Sequence, residues 1–200
     1  MKELSVGEQA TFGDCGFRVE DREFRNVGVR DINSVVSEFR DPRFRGQTFL
    51  RICAGLSLPS EGELAVAAVR GQIGYLAHEP LVYRELTALE NLELYGCLYR
   101  VPERRERIGM LLERFGLWEA RHDRVGSYSR GMTQRLALCR VLLHEPELLV
   151  LDEPYSALDE AAAELLDAQL AELRGERTFL VSTHDPSRVE SLASARLALA

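Results

Sequence analysis

The run Leu148-Leu149-Val150-Leu151-Asp152-Glu153-Pro154 constrains the fold more than any other stretch of this chain. Four consecutive apolar residues without polar alternation predict a strand buried on both faces, the habit of parallel sheets covered by helices. The run then ends on two carboxylates. Such a strand delivers acid groups to the crevice at its C-terminal end, where open α/β sheets bind ligands. In phosphoryl transfer one carboxylate of such a pair holds Mg²⁺ through water, and the other orients an attacking water. Taken alone, the run fits equally well a buried strand that ends in a charged turn.

The flanking segments sharpen this. Upstream lies Ser127-Tyr128-Ser129-Arg130-Gly131-Met132-Thr133-Gln134-Arg135. Downstream come Ser156-Ala157-Leu158-Asp159 and Ser182-Thr183-His184-Asp185. In this order and at these separations they resemble the signature loop, Walker B strand, D-loop and switch histidine of the ATP-binding subunit of ABC transporters. The resemblance runs from about Phe49 to the C-terminus. It implies a P-loop NTPase-like α/β domain with a parallel core sheet, an N-terminal antiparallel sheet and an inserted helical subdomain over about 82–143, all within one domain of residues 1–200. It also implies ATP and Mg²⁺ as cofactors.

By the same likeness, Asp152 holds Mg²⁺, Glu153 polarises water and His184 contacts the γ-phosphate. Ser129, Arg130 and Gly131 complete the nucleotide site of a second subunit, and Asp159 touches that subunit. The likeness further implies a homo- or heterodimer with two ATP at its interface, acting on a separate transmembrane subunit from the cytoplasmic face of the membrane.

Composition agrees with a domain of this kind. Two hundred residues are enough to bury a substantial core. A net charge of −7 argues against a general nucleic-acid binder, whose footprint is basic. Cys15, Cys53, Cys97 and Cys139 are widely spaced with no C-x-x-C pair, which favours reduced thiols over a metal site. The last three sit among apolar residues and read as small core hydrophobes. No run of about 18 apolar residues is present, so any pore belongs to another chain. The N-terminus shows no apolar signal core.

The phosphate loop is where the resemblance fails. Phe49-Leu50-Arg51-Ile52-Cys53-Ala54-Gly55-Leu56 reads as the helix that comes after G-x-x-x-x-G-K-[ST]. Counting back places that motif on Arg40-Asp41-Pro42-Arg43-Phe44-Arg45-Gly46-Gln47-Thr48. Arginine stands at the glycine positions, including Arg43 and Arg45, and Gly46 at the lysine position. Gln47 precedes Thr48, the one residue that fits its slot and a candidate Mg²⁺ ligand.

Glycine is needed there because backbone N–H groups must curl around phosphate without Cβ interference. The chain has a single lysine, Lys2, against 24 arginines, so no shift of register restores the motif. Losing one such group costs on the order of 3 kcal/mol in a transition state. Three explanations stay open: the arginines bind phosphate by charge alone, the chain is a non-hydrolysing or regulatory subunit, or residues 1–46 are drifted or out of frame. The first 48 residues hold one alanine, one leucine and five of the eight phenylalanines, an abrupt contrast with the remaining three quarters of the chain. Among them, Phe12 sits where the family often stacks an aromatic on adenine; a core phenylalanine fits equally well. Gly16-Phe17-Arg18-Val19 and Val27-Gly28-Val29 suggest short strands, as do Leu64 to Val69 and Ile73 to Leu76.

His78 occupies the position of the family's Q-loop glutamine, and this makes the chain similar to the haem exporters of cytochrome c maturation. Thr87 and Glu90 form a capping box for a helix whose apolar face is residues 88, 89, 92, 95 and 98. Further helices are expected over 103–115 (stopping at Gly116), 132–143 and 160–173 (ending at Gly175), with Leu166, Leu170 and Leu173 on one face of the last. The run Glu103-Arg104-Arg105-Glu106-Arg107 reads as a solvated face. Thr178 to Ser182 should be a second buried strand, and residues 196–200 an edge strand. A soluble repair or translation ABC protein would need a coiled coil or tandem domains, which this chain lacks.

Overall fold

A computed structural model describes residues 2–4, 17–19, 27–29, 34–39, 46–58, 64–65, 68, 70–190, 193 and 195–199. The apolar run at 148 forms β7 (Leu148–Asp152), every residue of which is buried. It lies between β6 (Ile73–Leu76) and β8 (Thr178–Ser182), parallel to both. The sheet continues through β4 (Ser34–Phe39), β9 (Ala195–Leu199) and β1 (Lys2–Leu4), giving the order β1-β9-β4-β8-β7-β6 with every pairing parallel. All strands therefore point their C-terminal ends at one edge.

A second, antiparallel sheet joins β2 (Phe17–Val19) to β3 (Val27–Val29) and β5 (Leu64–Ala65). The N-terminal stretch thus supplies the expected antiparallel strands and also two strands of the core sheet. The C-terminal strand is not at an edge: β9 is held between β1 and β4. Of the strand expected over 64–69, only Leu64 and Ala65 are described as one.

Helices cover the sheet: α1 (Gly46–Cys53), α2 (Ala88–Leu98), α3 (Arg104–Arg114), α4 (Arg130–Leu142), α5 (Glu160–Leu173) and the short α6 (Pro186–Val189). None of the described helices is long and apolar enough to cross a membrane.

Local chemistry explains where these helices begin and end. At α2, Glu90 N donates to Thr87 Oγ1 at 3.1 Å and Thr87 N donates to Glu90 Oε2 at 2.8 Å, the reciprocal box that satisfies two orphan amides. We expect Thr87→Ala to cost about 1 kcal/mol, read as a lower denaturation midpoint with unchanged slope. At the end of α3, Gly116 takes φ +64°, which only glycine adopts without strain. Leu117 N then reaches Leu112 O at 2.7 Å and Gly116 N reaches Glu113 O at 3.0 Å, a Schellman closure. Its apolar partners, Leu112 and Leu117, are both fully buried.

Those two belong to one core with Leu92, Ile108, Phe115, Leu136, Leu149 and Leu166. Four expectations need correction. Leu98 is 68% exposed, because the α2 stripe turns away from the core at its last turn. Cys97, beside it, is exposed, whereas Cys53 and Cys139 are buried. Arg107 is not merely solvated: Nε and Nη2 donate to the Leu143 and Leu142 carbonyls, satisfying orphan acceptors at the end of α4. Helix α4 starts at Arg130, two residues before the expected Met132, because Ser129 caps it.

Candidate functional site

The site is built from the ends of three adjacent strands. Asp152 closes β7 and lies beside Ser182, the last residue of β8, in register. Ser182 Oγ donates to Asp152 Oδ1 at 2.6 Å. The other carboxylate oxygen, Oδ2, is buried and has no hydrogen-bond partner among the described residues. A buried carboxylate oxygen left unsatisfied is costly unless a cation or ordered water faces it. That donor chemistry suits a hydrated Mg²⁺.

Glu153 comes next in a left-handed conformation, φ +49°. Its backbone N–H donates to Ser182 O at 3.1 Å and approaches Ser182 Oγ at 3.2 Å, so β8 fixes the turn. Such conformations in non-glycine residues cluster where surrounding structure holds a functional geometry. Burial pushes the Glu153 carboxyl above its ordinary range; His184, with smaller help from His78, pulls it back toward ionisation. His184 Nε2 stands 3.5 Å from Glu153 Oε1, and the imidazole is 93% exposed. His78, two residues past β6, is also exposed and lines a cleft of about 660 Å³ with Arg84, Tyr128, Arg130, Thr133 and Ala157. Asp152, Glu153, His184 and His78 therefore come together at the C-terminal edge of β6, β7 and β8.

The signature segment flanks this cluster. Ser129 Oγ accepts from Met132 N at 3.2 Å, capping α4, and Arg130 is exposed. A Cβ on Gly131 would lie 2.9 Å from Ala157 O, so the glycine is required by the close approach of α4 to the 156–159 turn. Gln134 Nε2 donates to Pro154 O at 3.2 Å and adds a second tie. Asp159 caps α5 through Oδ1, which accepts from Ala162 N at 2.9 Å, and it remains exposed. Gly46, Gln47 and the exposed Thr48 form the first turn of α1, which comes after β4 and packs against β7. Phe12, Arg43 and Arg45 lie outside the described residues.

Ser182 is the residue that sequence reasoning missed. Its position directly before the Thr-His pair, at the end of the strand neighbouring the acid pair, was the available signal. Ser182→Ala leaves Asp152 Oδ1 without its hydroxyl partner, at an expected cost of about 1–3 kcal/mol in a denaturant titration.

A parallel sheet with an acid pair at the tip of an inner strand, and a helix that follows β4 on the far side of β8, is the architecture of a P-loop NTPase-like domain. Residues 47–156 match the ABC transporter family model. The chain belongs to the ABC transporter family. It is 32% identical to the ABC transporter ATP-binding protein NatA of Bacillus subtilis (strain 168), over 91% of this chain and 82% of that protein. It is 36% identical to the daunorubicin resistance ATP-binding protein DrrA3 of Streptomyces coeruleorubidus, over 84% of this chain and 57% of that one. The chain spans about half the length of several other curated relatives, such as 48% of one from Bacillus subtilis. Among solved structures, it superposes with a TM-score of 0.74 on a dimeric, post-hydrolysis ATP-binding cassette bound to ADP and Pi, at 25% identity, covering 92% of this chain and 91% of that one.

Proposed function

We propose that this chain is the ATP-binding subunit of an ABC exporter, coupling ATP binding and hydrolysis to transport by a separate membrane subunit. The observation that carries this reading is the convergence of Asp152, Glu153, His184 and His78 at one edge of the sheet. Mg-ATP, when bound, supplies the γ-phosphoryl group and the metal's charge. The unpartnered Oδ2 of Asp152 would hold the metal through water, while Ser182 keeps Oδ1 engaged. Glu153, held by the β8 carbonyl, accepts a hydrogen bond from the attacking water and takes up its proton. His184 and His78 flank that carboxylate, and His184 would contact the γ-phosphate.

The exposed Ser129, Arg130 and Asp159, with the half-buried Gly131 beside them, offer a surface for a second ATP-binding subunit, giving a homo- or heterodimer. The dimeric state of the similar cassette supports that arrangement. The segment of about 82–143, which carries α2, α3 and α4, serves as the helical subdomain toward the membrane partner, at the cytoplasmic face. The cargo is a small molecule. His78 in the Q-loop position favours haem or a related compound, while the similarity to DrrA3 points equally to drug-like cargo.

A second reading rests on the phosphate loop. Lys2 is the sole lysine, and arginines stand where glycines are needed. Such a chain can bind its partners without turnover, as a regulatory subunit. The likeness to NatA covers 91% of the chain, and so extends upstream of residue 47, which supports a drifted loop over an out-of-frame one. A nucleotide titration with Mg²⁺ separates the two functional readings. Saturable binding with turnover supports the exporter ATPase; binding without turnover supports the regulatory subunit, and absence of binding rejects the exporter ATPase.

A further inference from the structure

Arg188 lies in α6, just after His184, and its guanidinium gathers partners from two other segments. Nη2 donates to both carboxylate oxygens of Glu160, at 3.0 and 2.9 Å. Nη1 stands 3.5 Å from Asp167 Oδ2. Its Cζ is 5.4 Å from the centroid of the Tyr155 ring, and Tyr155 Oη donates to Asp167 Oδ1 at 2.6 Å. Glu160 is the first residue of α5, adjacent to the cap Asp159. Tyr155 belongs to the turn that leaves Glu153. One guanidinium thus joins the His184 loop to both ends of the turn that runs from the acid pair to α5.

Elsewhere the His184 loop is held by its own short-range hydrogen bonds, by the hydrogen bond of the His184 backbone to the Glu153 carboxylate, by the packing of α6 on β4 and by Val189. Thr183 Oγ1 accepts from Asp185 N at 3.1 Å, and Val189 is buried in the core. The imidazole itself projects into solvent. Its position therefore tracks that of residues 183–189, and Arg188 is the charged tie between that segment and α5. An isolated exposed ion pair does little, but a guanidinium whose two terminal nitrogens engage two different carboxylates, and which lies over a ring, orders several side chains together. At the other end of the tie, Ala157 adopts φ +63° and its carbonyl abuts Gly131, so this turn is conformationally constrained.

We propose that Arg188 is a positioning residue that couples the Asp159 turn to the His184 loop. A contact made at Asp159 by a second ATP-binding subunit then changes where His184 stands. The proposal rests on the exporter reading above for its use of His184, while the mechanical coupling stands on the contacts alone.

The test compares the full chain with Arg188→Gln, Arg188→Lys, Glu160→Gln and the double variant Arg188→Gln/Glu160→Gln. Two readouts are taken: Mg-ATP turnover, and amide hydrogen exchange over 157–162 and 183–190. Arg188→Gln is expected to lower kcat about 10-fold with KM changed less than about twofold, because a misplaced imidazole affects the reacting geometry more than binding. Exchange should rise in both segments together. The double variant should lose no more than Arg188→Gln alone, since both substitutions remove one contact. Lysine, lacking the fork, should recover only part of the loss.

Unchanged exchange at 183–190 in Arg188→Gln overturns the proposal, as does a rise confined to one segment. Additive losses in the double variant overturn it as well. Exchange needs no turnover. A wild-type chain that binds but does not hydrolyse ATP would sink the enzyme reading, while the paired exchange change would still decide the coupling.

Discussion

Replacing Glu153 by glutamine is expected to lower Mg-ATP turnover by about 10²–10⁴-fold while nucleotide binding persists. Glutamine keeps the shape of the side chain and the backbone tie of Glu153 N to Ser182 O. It removes the negative oxygen that accepts the water's proton. The same variant should be more stable than the wild type near neutral pH. Burial raises the Glu153 pKa in the folded state, so between the unfolded and folded values the folded chain holds the extra proton. Stability then falls as pH rises through that window, and glutamine does not take part in the fall. Loss of turnover with a raised midpoint is the signature of a group placed for chemistry rather than for folding. Turnover equal to wild type in this variant would remove Glu153 from the mechanism.

The second large effect lies far from the site. Phe115 caps α3 and is fully buried, next to the Schellman closure at Gly116. Its carbonyl accepts from Arg135 Nη1 at 3.0 Å, so the same residue pins α3 to α4. Phe115→Ala is expected to cost about 3–5 kcal/mol, because the neighbours Leu111, Leu112 and Leu136 are held by their own helices and cannot close the void. Since domains of this size are stable by about 5–15 kcal/mol, this is a large share of the total. The check is a urea titration at fixed temperature: a midpoint shift under a third of the wild-type value would show that the core relaxes. Because α3 and α4 pack together above the signature turn, the variant should also weaken nucleotide-dependent association of two subunits.

Much of the site was legible because it is encoded in short, contiguous chemistry. An unbroken apolar run ending in Asp152-Glu153 has few folds open to it, and β8 leading into Thr183-His184 repeats the pattern. Thr87 with Glu90, and Gly116 after an amphipathic stretch, mark helix ends through backbone hydrogen bonding alone. The parts that could not be read depend on pairing between distant residues. The sequence Ser34-Val35-Val36-Ser37-Glu38-Phe39 has too little periodicity to announce a core strand; only its two parallel neighbours make β4 one.

The same is true of side chains. Ser182 is an ordinary strand residue until its register with Asp152 is known. Gly131 suggested a phosphate contact, yet its space is also set by the Ala157 carbonyl across a fold-dependent gap. Arg107 reads from sequence as part of a solvated charge run, and Arg188 carries no local signal at all. Both are ties between separate elements, because each meets partners more than 25 positions away.

The placement of β9 between β1 and β4 has a consequence for how the chain is made. Emerging from the ribosome, β1 and β4 have no neighbour to bridge them until residues 195–199 arrive. β4 therefore waits first for β8 and then for β9, and β1 waits for β9 alone, so this side of the sheet closes only after residues 178–182 and 195–199 have been made. Such long-range parallel pairing is slow and leaves nascent edges prone to wrong partners. The burden of that delay falls on the N-terminal segment, which must avoid mispairing while the rest of the polypeptide is still being added.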